Sequence, residues 1–175
     1  MIKFESEKHL EDFIFGEFKN NFECIITGEV FNNCKRQLHI GAYGIPDLVF
    51  YSCDNDEIEG GTPIVYRKIH VIELKNEQIK VSDLSQIARY KRYFERALFA
   101  HDVAMEFSLV VPTGVSKNAD AVWLIDQMDG ISVYEFSLNP REGIEFKEMS
   151  DWYRKDENLE IARSILGIES EEGGK

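Results

Sequence analysis

Long apolar runs are missing from this sequence, and so is any apolar block near its first residues. No run approaches the ~20 residues that a membrane-spanning helix needs. The opening stretch, MIKFESEKHLEDF, mixes charges throughout, unlike a secretory signal. We therefore expect a cytoplasmic protein with no membrane contact.

Cysteine is scarce as well. The three cysteines, Cys24, Cys34 and Cys53, are an odd number and show neither a CxxC nor a Cys/His spacing. This pattern argues against a disulfide framework and against a structural zinc site. Free thiols fit a reducing compartment.

Basic residues are outnumbered, with 20 Lys and Arg against 32 Asp and Glu, which gives a net charge of −12. Affinity for nucleic acid comes mostly from lysines and arginines that displace counterions, so this balance alone points away from nucleic acid. Salt, however, screens exposed charges over about 8 Å, so acidic residues far from a cleft matter little there. We expect weak binding, helped by a homodimer or a partner protein.

The length and the apolar content fit one globular domain. A chain of 175 residues with 43% hydrophobic residues can bury roughly two thirds of its unfolded surface. We expect one domain over residues 1–166, followed by a flexible acidic tail over 167–175.

Periodicity predicts an α/β (α+β) fold in which helices flank a mixed central sheet. The order is α-βββ-α-β-α-β plus a C-terminal helix. The first helix runs from about Glu7 to Phe18 after a Ser6 cap, and a second helix is capped by Ser82 or Asp83. The strands comprise one or two within 22–40 and further strands at 47–51, 64–75, 106–112, 131–138 and 144–146, with later helices at 117–128 and 151–166.

The stretch HVIELKNEQI places charges inside a strand that otherwise favours burial. Side chains alternate faces along a strand, so Glu73 and Lys75 share a face with Val71. A carboxylate buried alone is costly, so Glu73 needs further partners. Asp47 heads the preceding strand and can lie beside it. Two carboxylates at one sheet edge predict a site for a hard cation such as Mg²⁺.

These residues resemble a known signature. GIPD at 44–47 and IELK at 72–75 resemble the PD-(D/E)XK nuclease superfamily, and QIARY at 86–90 resembles the QxxxY motif of its RecB-like branch. The order of the motifs is also similar to that in the nuclease domain of NucS-type mismatch endonucleases. The resemblance implies a restriction-endonuclease-like core and a metal-dependent nuclease, most readily a DNA endonuclease.

The resemblance also implies roles for individual residues. Asp47, Glu73 and the carbonyl of Leu74 would bind Mg²⁺ or Mn²⁺, and Lys75 would position the attacking water or stabilise the developing oxyanion. A glutamate of the first helix would complete the site; Glu7 is the first choice, and Glu11 one turn later stays open. Nucleic-acid contacts are expected from the QxxxY pair and from a basic stripe on the same helix: Gln86, Tyr90, Arg89, Arg92 and Arg96. Gln86 and Tyr90 could instead hold Lys75, or simply pack the flank of the helix against the sheet.

A simpler interpretation of each motif remains. In a chain with 30% charged residues, an isolated E-x-K is expected about once by chance and is usually solvated. The stripe of arginines can likewise be an ordinary solvated helix face. The alternative function is an acidic interaction or inhibitor protein that mimics nucleic acid on a nuclease-like fold. The four histidines show no metal-like spacing, and we expect them to be structural.

Overall fold

The structure is a computed structural model, and it describes residues 4–56, 64–114, 120–121, 124–125, 128–139, 141 and 143–150. Of the helix predicted over 117–128, residues 120–121, 124–125 and 128 are described; the first four are helical, and residue 128 lies beyond the helix. The helix predicted over 151–166 and the tail predicted over 167–175 lie outside the described residues.

The described elements follow the predicted order, with three strands of the main sheet before the second long helix. The segment 22–40 holds three short strands where one or two were predicted. A short 3-10 turn, Gly41–Tyr43, precedes the fourth strand. In chain order the elements are α1 (Glu7–Asn21), β1 (Glu23–Cys24), β2 (Glu29–Val30), β3 (Asn33–Arg36), β4 (Leu48–Asp56), β5 (Ile64–Leu74), α2 (Val81–Ala97), β6 (Ala104–Pro112), β7 (Ile131–Asn139) and β8 (Gly143–Glu148).

Six of the strands form one mixed sheet, in the order β3-β4-β5-β6-β7-β8. β5, β6 and β7 run parallel to one another, while the remaining pairs in this sheet are antiparallel. β1 and β2 pair separately as a small hairpin. The predicted α/β class with a mixed central sheet is confirmed at this level.

Alternation along the central strands supplies a core to each helix. Ile72 and Leu74 of β5 pack in one buried cluster with Leu10, Ile14 and Phe18 of α1. Val71 of β5 packs in a second cluster with α2, and so faces the other side of the sheet. Among the described residues, no helix is both long and apolar enough to cross a membrane.

The start of α1 confirms the predicted cap. Ser6 Oγ accepts a hydrogen bond from the backbone N–H of His9 at 3.2 Å, which satisfies one of the free donors of the first turn. The helix continues to Asn21, three residues beyond the predicted end, and Phe22 closes it in a left-handed conformation. In this position the N–H of Phe22 still donates to the carbonyl of Phe18, at 2.7 Å.

The predicted cap of α2 is wrong. The helix begins at Val81, so Lys80 is the N-cap and Asp83 lies one turn inside. Asp83 nevertheless satisfies the helix start, because its Oδ2 accepts the N–H of Lys80 at 2.8 Å. A carboxylate at the third helical position can therefore replace a capping side chain at the boundary.

β4 extends beyond the predicted 47–51. It pairs with β5 from Leu48 opposite Ile72 as far as Asp56 opposite Ile64. β3 covers β4 only up to Tyr51, and β6 covers β5 only from Lys68. The backbone of 53–56 and 64–67 therefore forms a two-stranded ribbon that projects beyond the sheet. The opposite end of the same strand pair lies inside the sheet, and it positions the candidate site.

Candidate functional site

Asp47 and Glu73 lie opposite each other at the inner end of the β4–β5 pair. The last antiparallel pair is Leu48 with Ile72, and one further step in that register places Asp47 opposite Glu73. Residues directly opposite share a face and have Cβ atoms about 4.5–5.5 Å apart. Asp47 is fixed there because its Oδ2 accepts the N–H of Leu74 at 2.8 Å. The structure thus brings together the two carboxylates that the sequence predicted at one edge.

Glu73 is the most unusual side chain of the site. It is 2% exposed, and its Oε1 accepts a hydrogen bond from Lys75 Nζ at 2.7 Å. Its Oε2 is buried and has no hydrogen-bond partner among the described residues. Burial, and then the charge of Asp47, raise the pKa of Glu73 to about 7. A buried polar atom without a partner costs about 1–3 kcal/mol, so a bound cation or donor would stabilise this oxygen.

Lys75 points to the same face as Glu73, two residues further along the chain. Its side chain is 13% exposed, and its backbone N–H donates to the carbonyl of Val110 at 2.8 Å, which fixes the strand end. Although burial opposes the charged form, the hydrogen bond and the charge of Glu73 raise the pKa of Lys75 above its ordinary value. The side chain is therefore an ammonium ion at neutral pH.

The two glutamates of α1 occupy different environments. Glu7 reaches the strand end, where its Oε1 accepts the backbone N–H of Asn76 at 3.3 Å, and it lies close enough to act electrostatically on Glu73 and Lys75. Glu11 is buried. Its Oε1 accepts a hydrogen bond from Arg36, the last residue of β3, and its Oε2 accepts one from Gln37, the next residue. Of the two open choices, Glu7 is the one placed beside Glu73.

Three residues of this neighbourhood were not predicted: Arg36, Gln37 and, in its actual role, Glu11. Arg36 Nε donates to Glu11 Oε1 at 2.5 Å, and Gln37 Nε2 donates both to Glu11 Oε2 at 2.6 Å and to Asp47 Oδ1 at 2.9 Å. Burial raises the pKa of Asp47, while the hydrogen bonds from Leu74 and Gln37 oppose this rise. The sequence around Gln37 carries no periodicity that would have assigned it to the site.

Gln86 and Tyr90 support the turn before Asp47. Tyr90 is fully buried, and its hydroxyl accepts a hydrogen bond from Gln86 Nε2 at 2.6 Å. Its ring lies against Gly44, where an added Cβ would stand 2.8 Å from a ring carbon. The predicted direct contact between Tyr90 and nucleic acid does not fit this arrangement, because Tyr90 has no exposed surface. Tyr90 instead connects α2 to the 44–47 turn, while nucleic-acid contact by Gln86, which is partly exposed, stays a prediction.

The predicted arginine stripe lies on the solvent side of α2, and Arg89, Arg92 and Arg96 are all exposed. Arg96 Nη1 donates to the hydroxyl of Tyr43 at 3.1 Å, and Arg92 lines a shallow groove with Asp129. At about 1.5 Å of rise per residue, Arg96 lies roughly 10 Å further along the helix than Arg89 from the Glu73 end. Nucleic-acid binding by these residues stays a prediction.

The donor set fits Mg²⁺ better than zinc. Over the described part of the chain, no group of three or more His, Cys, Asp or Glu side chains is arranged to hold a metal ion. A structural zinc site needs about four such ligands. Mg²⁺ instead takes one or two carboxylates and completes its shell with waters and substrate phosphates. Asp47 and the unpartnered oxygen of Glu73 meet that requirement, and the ligand role of the Leu74 carbonyl stays a prediction.

A second buried polar pair lies on the α1 face of the sheet. His70 Nε2 and Ser108 Oγ are 2.8 Å apart, and His70 Nδ1 lies 3.7 Å from Glu106 Oε2. Burial lowers the pKa of His70 to about 4, so the ring is neutral at physiological pH. The order Ser–His–Glu is that of a hydrolase triad, but Ser108 is 1% exposed and offers no surface to a substrate. The structural role expected for His70 fits this burial.

Comparisons of the chain with protein-family models, with curated proteins and with solved structures found no match. What the molecule does is therefore inferred from the geometry around Asp47, Glu73 and Lys75.

Proposed function

We propose that this protein is a nuclease that hydrolyses phosphodiester bonds with Mg²⁺ or Mn²⁺, and that DNA cut at internal positions is its substrate. One observation carries the proposal: the buried Oε2 of Glu73 lacks a partner beside Asp47 and Lys75. Stability alone does not explain this arrangement, because a buried ion pair can often be replaced by apolar residues without loss. A cation bound between the carboxylates does explain it.

Each residue has a distinct task in this proposal. Asp47 and Glu73, with the carbonyl of Leu74, would hold the ion, and Glu7 would complete the site from the helix side. The bound ion supplies an acidified water and neutralises charge on the phosphate. Lys75 would donate a hydrogen bond to the attacking water or to the developing oxyanion. Its ion pair with Glu73 holds the ammonium group where that bond is needed.

A restriction-endonuclease-like core is part of the proposal. The supporting features are α1, three sheet strands, α2 and then a parallel strand, with the carboxylates at the end of the second and third sheet strands. The elements predicted beyond residue 150 lie outside the described residues and do not contribute to this argument.

The proposed substrate has to be held against a net charge of −12. The exposed arginines of α2 are the side chains proposed to contact the phosphates. Because they are few, we propose that a second copy of the chain or a partner protein adds phosphate contacts. A symmetric homodimer would also supply two sites, one for each strand of a duplex.

The proposal is tested by cleavage of plasmid, duplex, single-stranded DNA and RNA in Mg²⁺ or Mn²⁺. Asp47→Asn removes a ligand charge, so metal affinity and cleavage should both fall sharply. Lys75→Met removes the ammonium group but no ligand, so metal binding should stay near the parental value while the rate falls by about 100-fold. Lys68→Met is the matched control, because Lys68 lies on β5, seven residues before Lys75, and its ammonium group pairs with Glu29, outside the proposed site.

Two results would contradict the proposal. One is that Lys75→Met cleaves at the parental rate with saturating Mg²⁺. The other is that none of the substrates is cut in a metal-dependent way, in which case the protein belongs to the alternative class of acidic interaction or inhibitor proteins.

A further inference from the structure

We propose that Gln37 is a positioning residue that fixes the Asp47 carboxylate and makes the site select Mg²⁺ over Ca²⁺. This inference rests on the proposed metal site at Asp47 and Glu73, and adds to it a residue outside the ligand set.

Gln37 holds Asp47 by both side chain and backbone. The side-chain Nε2 donates to Asp47 Oδ1 at 2.9 Å, and the backbone N–H donates to the Asp47 carbonyl at 2.9 Å. With the Leu74 N–H on Oδ2, each carboxylate oxygen of Asp47 accepts one protein hydrogen bond. A carboxylate has about four acceptor positions, so lone pairs remain for an ion while rotation of the group is restrained.

The backbone of Gln37 adopts a conformation that glutamine rarely takes. Its φ is +47°, in the left-handed region, immediately after β3 ends at Arg36. A left-handed residue of this kind is strained and persists where other contacts hold it in place. Three hydrogen bonds hold Gln37 in place: its side chain donates to the carboxylates of Glu11 and Asp47, and its backbone N–H donates to the Asp47 carbonyl.

The support continues from Gln37 into α1. The second hydrogen of the same amide goes to Glu11 Oε2 at 2.6 Å, and Glu11 Oε1 accepts Arg36 Nε. Arg36 also contacts Asp12 and lies over the Phe15 ring, with its guanidinium carbon 5.1 Å from the ring centroid. Asp47 is therefore attached, through one neutral amide, to a buried part of the first helix.

The neutrality of that amide is important. A lysine or arginine at position 37 would donate as well, but its charge would offset the negative potential that attracts a cation. A glutamate would place a third carboxylate between Glu11 and Asp47. Glutamine alone among these supplies two donors to two carboxylates and leaves both charges intact.

Rigidity at Asp47 bears on which ion is preferred. Mg²⁺ requires near-ideal octahedral geometry at 2.0–2.1 Å, whereas Ca²⁺ accepts 6–8 oxygens in flexible arrangements. A carboxylate that is free to rotate therefore loses more affinity for Mg²⁺ than for Ca²⁺. Loss of the Gln37 amide should lower the ratio of the two affinities, not only the affinities themselves.

The test is calorimetric titration of the metal-free protein with Mg²⁺ and separately with Ca²⁺. Gln37→Met keeps the length of the side chain but removes both donors. We expect its Mg²⁺ affinity to fall by about 10- to 100-fold, as for other residues that orient a metal ligand, and its Ca²⁺ affinity to fall less. Asp47→Asn identifies the heat that belongs to this site.

Two further variants separate positioning from folding. Gln37→Gly relieves the positive φ and removes the side chain, so it should show the same change in selectivity without the strain of a left-handed side chain. Asp12→Asn keeps an acceptor for Arg36 but lies outside the Gln37 contacts, so its Mg²⁺ to Ca²⁺ affinity ratio should be parental.

The outcomes distinguish this inference from the proposed function. If the parent binds both ions at Asp47 and the two Gln37 variants keep the parental ratio, Gln37 does not position the ligand, and the metal site stands. If the parent binds neither ion, the metal site itself is wrong, and the role of Gln37 is overturned with it.

Discussion

Glu73 couples the stability of the protein to pH. Its pKa rises from an ordinary value of 4.5 to about 7, first because of burial and then because of Asp47. Between these values the folded state keeps a proton that the unfolded state has released. Stability from this group is fully present below about pH 4.5, and it is lost as the pH rises through about 7. Metal binding needs the same proton to leave, so it should strengthen over the same range.

We expect metal-free protein to lose stability relative to Glu73→Gln as the pH rises from 5 to 8, because both proteins share the opposing contribution of the buried, neutral His70. The shift in the pKa of Glu73 corresponds to a decrease of about 3 kcal/mol in the free energy of unfolding. Urea unfolding in chelator at a series of pH values measures it. Parallel profiles for the parent and Glu73→Gln across this range would show that Glu73 is not the coupled group.

Single residues differ in how far the sequence could predict them. Asp47, Glu73 and Lys75 were predictable because a charged pair in an apolar strand is costly without a partner, and strand alternation gives its face. The burial of Glu11 and its contact with Gln37 were not predictable, since a buried glutamate on a helix cannot be told from a surface charge until its partners are known. Its motif led to the prediction that Tyr90 contacts nucleic acid, but Tyr90 is buried and packs against the turn at Gly44.

At the scale of elements, the 41–47 turn and α2 form one unit that carries Asp47. Gly44 has φ 121° and ψ −154°, a region that is essentially restricted to glycine. The Tyr90 ring fills the space where a Cβ would stand. The turn therefore keeps its path only if position 44 has no side chain.

Gly44→Ala should cost more than about 2 kcal/mol of unfolding free energy, because backbone strain and steric overlap with Tyr90 add together. Gly41→Ala is the matched control. It also has positive φ, at 65°, but no atom lies within 4 Å of the added Cβ, so its cost should be smaller. Urea unfolding of both variants gives the comparison, and equal costs would mean that the Tyr90 contact does not constrain the turn.

The element order was predictable, whereas several boundaries were not. Periodicity located α1, α2 and the long β5 because their apolar residues recur at helical or strand intervals. β4 was predicted too short, because its second half is polar and is held only by pairing with β5. The start of α2 was misplaced because Asp83 can satisfy the free backbone donors from inside the helix.

For the molecule as a whole, the sign of the net charge and the proposed substrate oppose each other. Binding should therefore depend on a few local cations, and their number sets how fast the affinity falls with salt. Arg89 lies nearer the Glu73 end of α2, while Arg96 is at the far end and bonds to Tyr43.

Arg89→Ala should weaken DNA binding and lower the slope of log affinity against log salt by about one. Arg96→Ala should change the slope less. Fluorescence anisotropy with a labelled duplex at several salt concentrations measures both, with metal-free buffer to prevent cleavage. Identical slopes for Arg89→Ala and the parent would place the phosphates elsewhere.

Other strands flank the β4–β5 pair at one end only, so local opening of its backbone hydrogen bonds should differ between the two ends. At its inner end each strand has a second neighbour, β3 or β6, whereas the ribbon of 53–56 and 64–67 has no other strand of the described sheet beside it. In hydrogen exchange, the amides of Val49 and Val71 should open only with global unfolding, and those of the ribbon through smaller fluctuations. The Asp47 and Glu73 carboxylates would then lie at the protected end of the pair. A partner that binds the ribbon would change the order of the ribbon without loosening the site.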